Sequence, residues 1–311
     1  MGQKKHNWLL YAIITMITWG IWGAFSDQTT LPKNLVYVVW ALSMIPCALA
    51  ALVNIKFKLD MRTKPALLSM AVGLLGAGGQ LVLFLALDYA PAYLVMPMIS
   101  VAPIVTVLLS ATVLKEKVSR LGILGIVLAF VALICFALPD SKDGAATSRI
   151  WILFASIVFI CWGVQAFVMK LANNNTPDAE SVFVYMAIAA VLLIPVALLM
   201  GKGQNHLLAD GWGEVTKVFF VQILNAIGAF TLVYANRYGK AMVIAPLADA
   251  CAPVIMCVIS LCLLNTGGPE VLPLYRHCYC FQPGLLYQAL WCLFPPIHLP
   301  AVTGISKNLA I

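Results

Sequence analysis

Nine apolar runs, each long enough to cross a lipid bilayer, follow one another along this chain. They lie at about 8–26, 34–53, 66–87, 93–113, 121–138, 150–169, 181–200, 216–235 and 241–264. A membrane-spanning helix needs roughly 17–25 mostly apolar residues, so each run reads as one span. A tenth run, about 281–300, holds Pro295 and Pro296, which interrupt a helix. Hydrophobic residues make up 62% of the 311 positions and charged residues 10%, against about half and a quarter in soluble domains. No stretch is polar enough to form a separate water-soluble domain. The expected class is an all-α polytopic membrane protein. Lys4 and Lys5 precede the first run as in a signal peptide. That run is long for one, however, and "AFS" before Asp27 is a poor cleavage site, so it counts as a span.

The net charge of +7 sits in short loops, which points to membrane orientation and away from nucleic acid. With the N-terminus inside, the inner loops hold Lys4, Lys5, Lys56, Lys58, Arg62, Lys64, Lys115, Lys117, Arg120, Lys170, Arg237 and Lys240. The outer loops hold Lys33, Lys142, Arg149, Lys202 and Lys217. The asymmetry predicts a multi-pass protein of the cell (inner) membrane with a cytoplasmic N-terminus. The sequon at Asn174 would then face inward, unglycosylated. The nine cysteines are scattered and read as small core residues. Only "HCYC" (277–280) resembles a metal cluster, and it lacks a second ligand pair. No metal, catalytic residue or cofactor is expected.

The chain repeats itself. "ALDYAPAYLVMPMISVAPIV" (86–105) aligns with "ANRYGKAMVIAPLADACAPVI" (235–255). Tyr89 pairs with Tyr238, Ala92 with Ala241 and Pro97 with Pro246. With one extra residue in the second copy, Pro103 pairs with Pro253. "TWG" (18–20) likewise meets "CWG" (161–163). Five spans per copy is an odd number, so the second copy enters the membrane from the opposite side. Two inverted five-helix repeats are a common plan of secondary transporters, with the site near the midplane between the halves.

These features resemble the EamA type of the drug/metabolite transporter superfamily. The likeness is carried by "TWGIWGAF" in span one, the prolines of span four, and "LLSATVLKEKVSRLGILGIVLAFVALI" (108–134) with Glu116. The resemblance implies ten helices around a central cavity, with the fifth and tenth peripheral. It also implies export, less often import, of small metabolites or amphipathic compounds. The repeats are expected at 8–139 and 150–264. Residues 265–311 depart from the pattern: Asn265 and Thr266 stand where the first copy has Lys115 and Glu116. A reading-frame shift near codon 265 is the expectation for this tail.

Polar groups inside spans should face the bundle interior. Gly73, Gly76 and Gln80 share one face of span three, and their repeat partners Gln222, Asn225 and Ala229 share one of span eight. Trp19 and Trp22 in span one pair with Trp162 and Gln165 in span six. Tryptophans at span centres, away from the interfaces they favour, suit an apolar or cationic ligand. Equally, the glycines can serve close helix packing and the amides interhelical hydrogen bonds. The expected substrate- or ion-binding residues are Trp19, Trp22, Gln80, Trp162, Gln165, Gln222, Asn225 and Asp249.

Asp249 is the one acid within a long apolar run, flanked on its own face by Pro246 and Pro253. Pro97, Pro103, Pro246 and Pro253 are expected to break their helices, leaving the carbonyls of Tyr93, Ile99, Met242 and Asp249 without intrahelical partners. Freed carbonyls beside a carboxyl group form a candidate proton or cation site, and Asp249 becomes the expected coupling residue. The expected partners are the lipid bilayer, a small-molecule substrate, H+ or another cation, and a second copy of the chain in a homodimer. An intramembrane enzyme would need convergent catalytic groups in the spans. There is one acid and no span histidine before the tail, and no P-loop occurs. A scaffold or receptor would have no need of inverted, proline-interrupted repeats. An uptake permease for a sugar or amino acid is the alternative within transport.

Overall fold

The computed structural model describes residues 7–26, 28–90, 95, 98–115, 127, 149–201 and 211–263. Pro97, Glu116, span five apart from Val127, and the tail 265–311 with "HCYC" and the tenth run lie outside them. The described residues contain helices and no strands. We number the helices α1 (Trp8–Ser26), α2 (Lys33–Asn54), α3 (Thr63–Tyr89), α4 (Pro103–Thr112), α5 (Ile150–Asn175), α6 (Ala179–Leu192), α7 (Ile194–Met200), α8 (Gly211–Tyr238) and α9 (Ala241–Leu263). Six spans among them are long and apolar enough to cross a membrane: α1, α2, α3, α5, α6 continued by α7, and α8. The chain is an integral multi-pass membrane protein.

Local chemistry sets several boundaries. Asp178 caps α6, its carboxylate accepting the Ser181 N–H at 2.7 Å, which satisfies one of the free donors of a helix start. Pro195 lacks the N–H that would bond the carbonyl four residues earlier, and the helix is interrupted at Leu193 between α6 and α7. In span four, residues 98–100 are helical, 101 and 102 form a turn, and α4 starts afresh at Pro103. The Ile99 carbonyl accepts the Ala102 N–H at 2.9 Å. It is therefore not left without a partner, as the sequence alone suggested. A tighter three-residue turn satisfies it instead.

Span nine also differs from expectation. α9 is one continuous helix through positions 246 and 253. A proline removes one intrahelical bond, and the bonds on either side carry the helix past it, as in other membrane helices. The cysteines need one amendment: Cys47 and Cys161 are free, whereas Cys251 is disulfide-bonded.

The helices pack chiefly across the repeat boundary. α1 lies on α8 and α9, α2 on α6 and α8, α3 on α5 and α6, and α4 on α5 and α9. Neighbours within one repeat, such as α2 with α3 or α8 with α9, touch much less. Neither repeat is thus an independent bundle, and each buries its faces on the other. Tyr37 of α2 shows this: it is fully buried, and its hydroxyl donates to the Ala190 carbonyl of α6 at 3.0 Å.

The inversion is visible directly. Trp8, at the start of α1, lies against Gly239 so closely that a Cβ there would come within 3.0 Å of its ring. Lys170, near the end of α5, donates to the Gly239 carbonyl at 2.6 Å. α1 and α5 open the two repeats, yet the start of one and the end of the other meet at one end of the bundle, here called the near end.

Candidate functional site

The interface of α1 with α8 is an antiparallel seam of tryptophan, amide and hydroxyl groups. Thr15 and Thr231 share a hydrogen bond of 2.8 Å, and the Thr15 hydroxyl also reaches the Gly228 carbonyl at 3.1 Å. One turn on, the Trp19 indole N–H donates to the Asn225 backbone oxygen at 3.2 Å. Another turn on, Trp22 donates to the side-chain oxygen of Gln222 at 2.8 Å. From α2, Trp40 donates to the side-chain oxygen of Asn225, also at 2.8 Å. Three indole donors thus converge on two amide residues one turn apart on α8. Gly228 makes this possible, because any Cβ at that position would overlap the Trp19 ring.

The interface of α3 with α5 has the same construction. Trp162 donates to the Gly76 backbone oxygen at 3.3 Å, and its ring lies on Gly79, where a Cβ would come within 2.5 Å of the indole nitrogen. Gln165 lies on Gly76. The sequence alignment maps Trp19 to Trp162, Asn225 to Gly76 and Gly228 to Gly79, so the two tryptophan–carbonyl bonds are repeat-equivalent. A second equivalent pair supports the first. A Cβ on Gly20 would fall 3.1 Å from the Ala252 carbonyl, and one on Gly163 would fall 2.6 Å from the Ala102 carbonyl.

The seams differ in polarity. Where the first has Thr15 and Thr231, the second has Val158 and Val82 in an apolar cluster. The amides Gln222 and Asn225 face glycines in the alignment. The first seam therefore concentrates the hydrogen-bonding capacity, and it carries no formal charge. Such a seam can hold neutral or cationic amphipathic groups through ring faces and amide dipoles.

The structure brings Trp19, Trp22, Gln222 and Asn225 together in one seam, and Trp162 and Gln165 in the other. Gln80 is buried on α3, 7% exposed. Asp249 stands apart on α9, half-buried, and its carboxyl makes no hydrogen bond or ion pair with a described residue. At the far end Phe25, Thr29, Lys217 and Gln222 line a shallow recess too narrow to enclose a water molecule. Sequence reasoning missed Trp40, Thr231 and Gly228. Gly228 was legible, because its repeat partner Gly79 sits on the marked face of span three. Trp40 left one weak signal, a tryptophan about two turns inside its span.

The near end is closed by cations on helix termini. Lys170 donates to the carbonyls of Asn236 (2.8 Å) and Gly239 (2.6 Å). Arg237 donates to those of Asn173 (2.6 Å), Thr176 (2.7 Å) and Pro177 (2.6 Å). Positive groups at helix C-termini satisfy orphan carbonyls and oppose the helix dipole. These five bonds tie the ends of α5 and α8 together.

The chain matches the EamA-like transporter family over residues 6–138 and 149–267. It belongs to that family. Two matched segments correspond to the two repeats, and the function is accordingly membrane transport. An uncharacterized protein of Methanocaldococcus jannaschii is 26% identical over 134 residues, 42% of this chain and 97% of that protein. That relative is therefore about one repeat long. A solved crystal structure aligns with a TM-score of 0.61 at 18% identity, covering 91% of this chain and 96% of its own. That likeness concerns the fold alone.

Proposed function

We propose that this EamA-family member is a secondary transporter that exports small organic metabolites or amphipathic compounds by alternating access of its two repeats. The observation that carries the reading is the pair of repeat-equivalent tryptophan–carbonyl seams, Trp19 on Asn225 and Trp162 on Gly76. Two similar seams on opposite faces of an inverted structure allow one to open while the other stays shut. Opening the first exposes Trp19, Trp22, Gln222 and Asn225 to a substrate; opening the second exposes Gln80, Trp162 and Gln165. The protein resides in the inner membrane with its N-terminus in the cytoplasm.

Asp249 couples the cycle to a proton or another cation. It is an ionisable group within a membrane helix, without a described partner, and such groups mark ion pathways. The test is a metabolite and drug screen on vesicles carrying the full chain, with an imposed pH gradient. Export of an amphipathic compound, lost in Trp19→Ala, supports the substrate assignment. Asp249→Asn should abolish gradient-driven flux while leaving exchange down a substrate gradient. Unchanged gradient-driven flux in Asp249→Asn removes the coupling role. Inward accumulation of sugars or amino acids instead would select the uptake reading.

A further inference from the structure

The loop from α2 to α3 holds a strained backbone where an ordinary connection would not need one. Lys56 and Phe57 both adopt left-handed conformations, with φ of 53° and 57°. That region crowds Cβ against the carbonyl oxygen and is normally left to glycine at helix ends. The loop keeps it through capping bonds: the Lys56 N–H donates to the Val53 carbonyl at 3.0 Å, and the Phe57 N–H to that of Leu52 at 2.7 Å. Strain of this kind persists where the arrangement is used.

The arrangement turns apolar and basic side chains outward together. Phe57 is 67% exposed and Met61 81%. Lys56, Lys58 and Lys64 are also exposed and form no ion pair with a described residue. The loop is held firmly beneath them. Leu59 packs on the main core. The Asp60 N–H donates to the Ser181 hydroxyl at 3.2 Å, and the Asp60 carbonyl accepts the Tyr185 hydroxyl at 3.0 Å. The Asp60 carboxylate accepts two bonds from the Arg62 side chain at 2.8 and 2.9 Å. Arg62 is thereby occupied, and the three lysines are the cations left to meet a partner.

We propose that this loop is a docking site for anionic phospholipid. The lysine ammonium groups meet headgroup phosphates, and Phe57 and Met61 enter the boundary of the acyl chains. The loop joins the ends of two membrane-crossing helices, so it lies at headgroup depth. Exposed apolar side chains flanked by lysines fit that layer, and basic residues there are attracted to anionic lipid. Depth and charge together favour lipid over a soluble protein partner.

The purified full chain in detergent is offered phosphatidylglycerol or phosphatidylcholine, and retained lipid is counted by native mass spectrometry. The wild type should retain phosphatidylglycerol preferentially, and added salt should erase the preference. The triple variant K56Q/K58Q/K64Q should lower phosphatidylglycerol retention by about tenfold or more. Phe57→Gly separates lipid binding from folding. Glycine suits the left-handed position, so the melting temperature should hold or rise while lipid retention falls. No lipid preference in the wild type, retention insensitive to salt, or a triple variant that retains phosphatidylglycerol like the wild type would each overturn the proposal.

Discussion

Trp19 donates its indole N–H to the backbone oxygen of Asn225 across 3.2 Å, with its ring lying where the side chain of residue 228 would be. Trp162 stands in the same relation to Gly76 and Gly79. Bonding to a backbone oxygen lets the indole contact survive a change of side chain at the acceptor position. That explains how Asn225 and Gly76, chemically unlike, occupy equivalent places. The neighbours differ: Trp40 bonds the Asn225 side chain, and Gln165 fills the space a Cβ on Gly76 would take.

Gly228→Ala and Gly79→Ala should each destabilise the protein by about 1–3 kcal/mol, the usual result of forcing a methyl into a filled contact. The open position Gly78, with nothing within 4 Å of a built Cβ, supplies the comparison. Gly78→Ala should hold or gain stability through helix propensity. Thermal unfolding in one detergent measures all three. Equal melting temperatures would show that the indoles yield without cost.

Trp40→Phe keeps most of the ring and removes the N–H that reaches Asn225. The expected loss is about 1 kcal/mol, the net value of a typical hydrogen bond. In a double-mutant cycle with Asn225→Ala, the coupling should account for most of that loss. Additive effects would deny the bond an energetic role.

Neutralising the near-end cations should loosen that end selectively. Lys170→Gln and Arg237→Gln each remove charge-assisted bonds to carbonyls, and bonds to charged groups contribute about 1.5–3 kcal/mol. Hydrogen exchange at the ends of α5 and α8 should rise before exchange at the far end does. A uniform rise would mean that the cations serve global stability only.

Asp60 gives a pH dependence that lies outside the spans. The Arg62 hydrogen bonds hold its carboxyl below the usual carboxylate range, outweighing the opposing effect of burial. A lowered folded pKa stabilises the protein fully above the unfolded value of about 3.9. The contribution drains away as pH falls below that point and through the folded value. Melting temperature measured from pH 6 down to 3 should fall in the acid limb, and Asp60→Asn should flatten that limb. An unchanged acid limb would assign the acid sensitivity to other groups.

Much of the fold was legible because hydrocarbon imposes one rule on every span. The backbone must satisfy its own hydrogen bonds, so apolar runs become helices. α1 and α2 start and stop within one residue of the apolar runs, while α5 and α8 extend beyond theirs by up to about two turns. The proline effects were less legible. Pro103 restarts a helix while α9 passes through positions 246 and 253, and the bonding of the adjacent turns decides between these outcomes.

What the sequence determined by itself was the class, the repeat and its inversion, because span length, charge asymmetry and self-alignment are properties of the chain alone. It also marked the faces that carry Trp19, Trp162, Gln222 and Asn225. Only the tertiary structure decided what those faces meet. Each repeat buries itself chiefly on the other, so the partner of Trp19 is 206 residues away. Where an indole lies across a helix interface depends on how closely two backbones approach. That distance is set jointly by Gly228 and every neighbouring contact, and no single span encodes it.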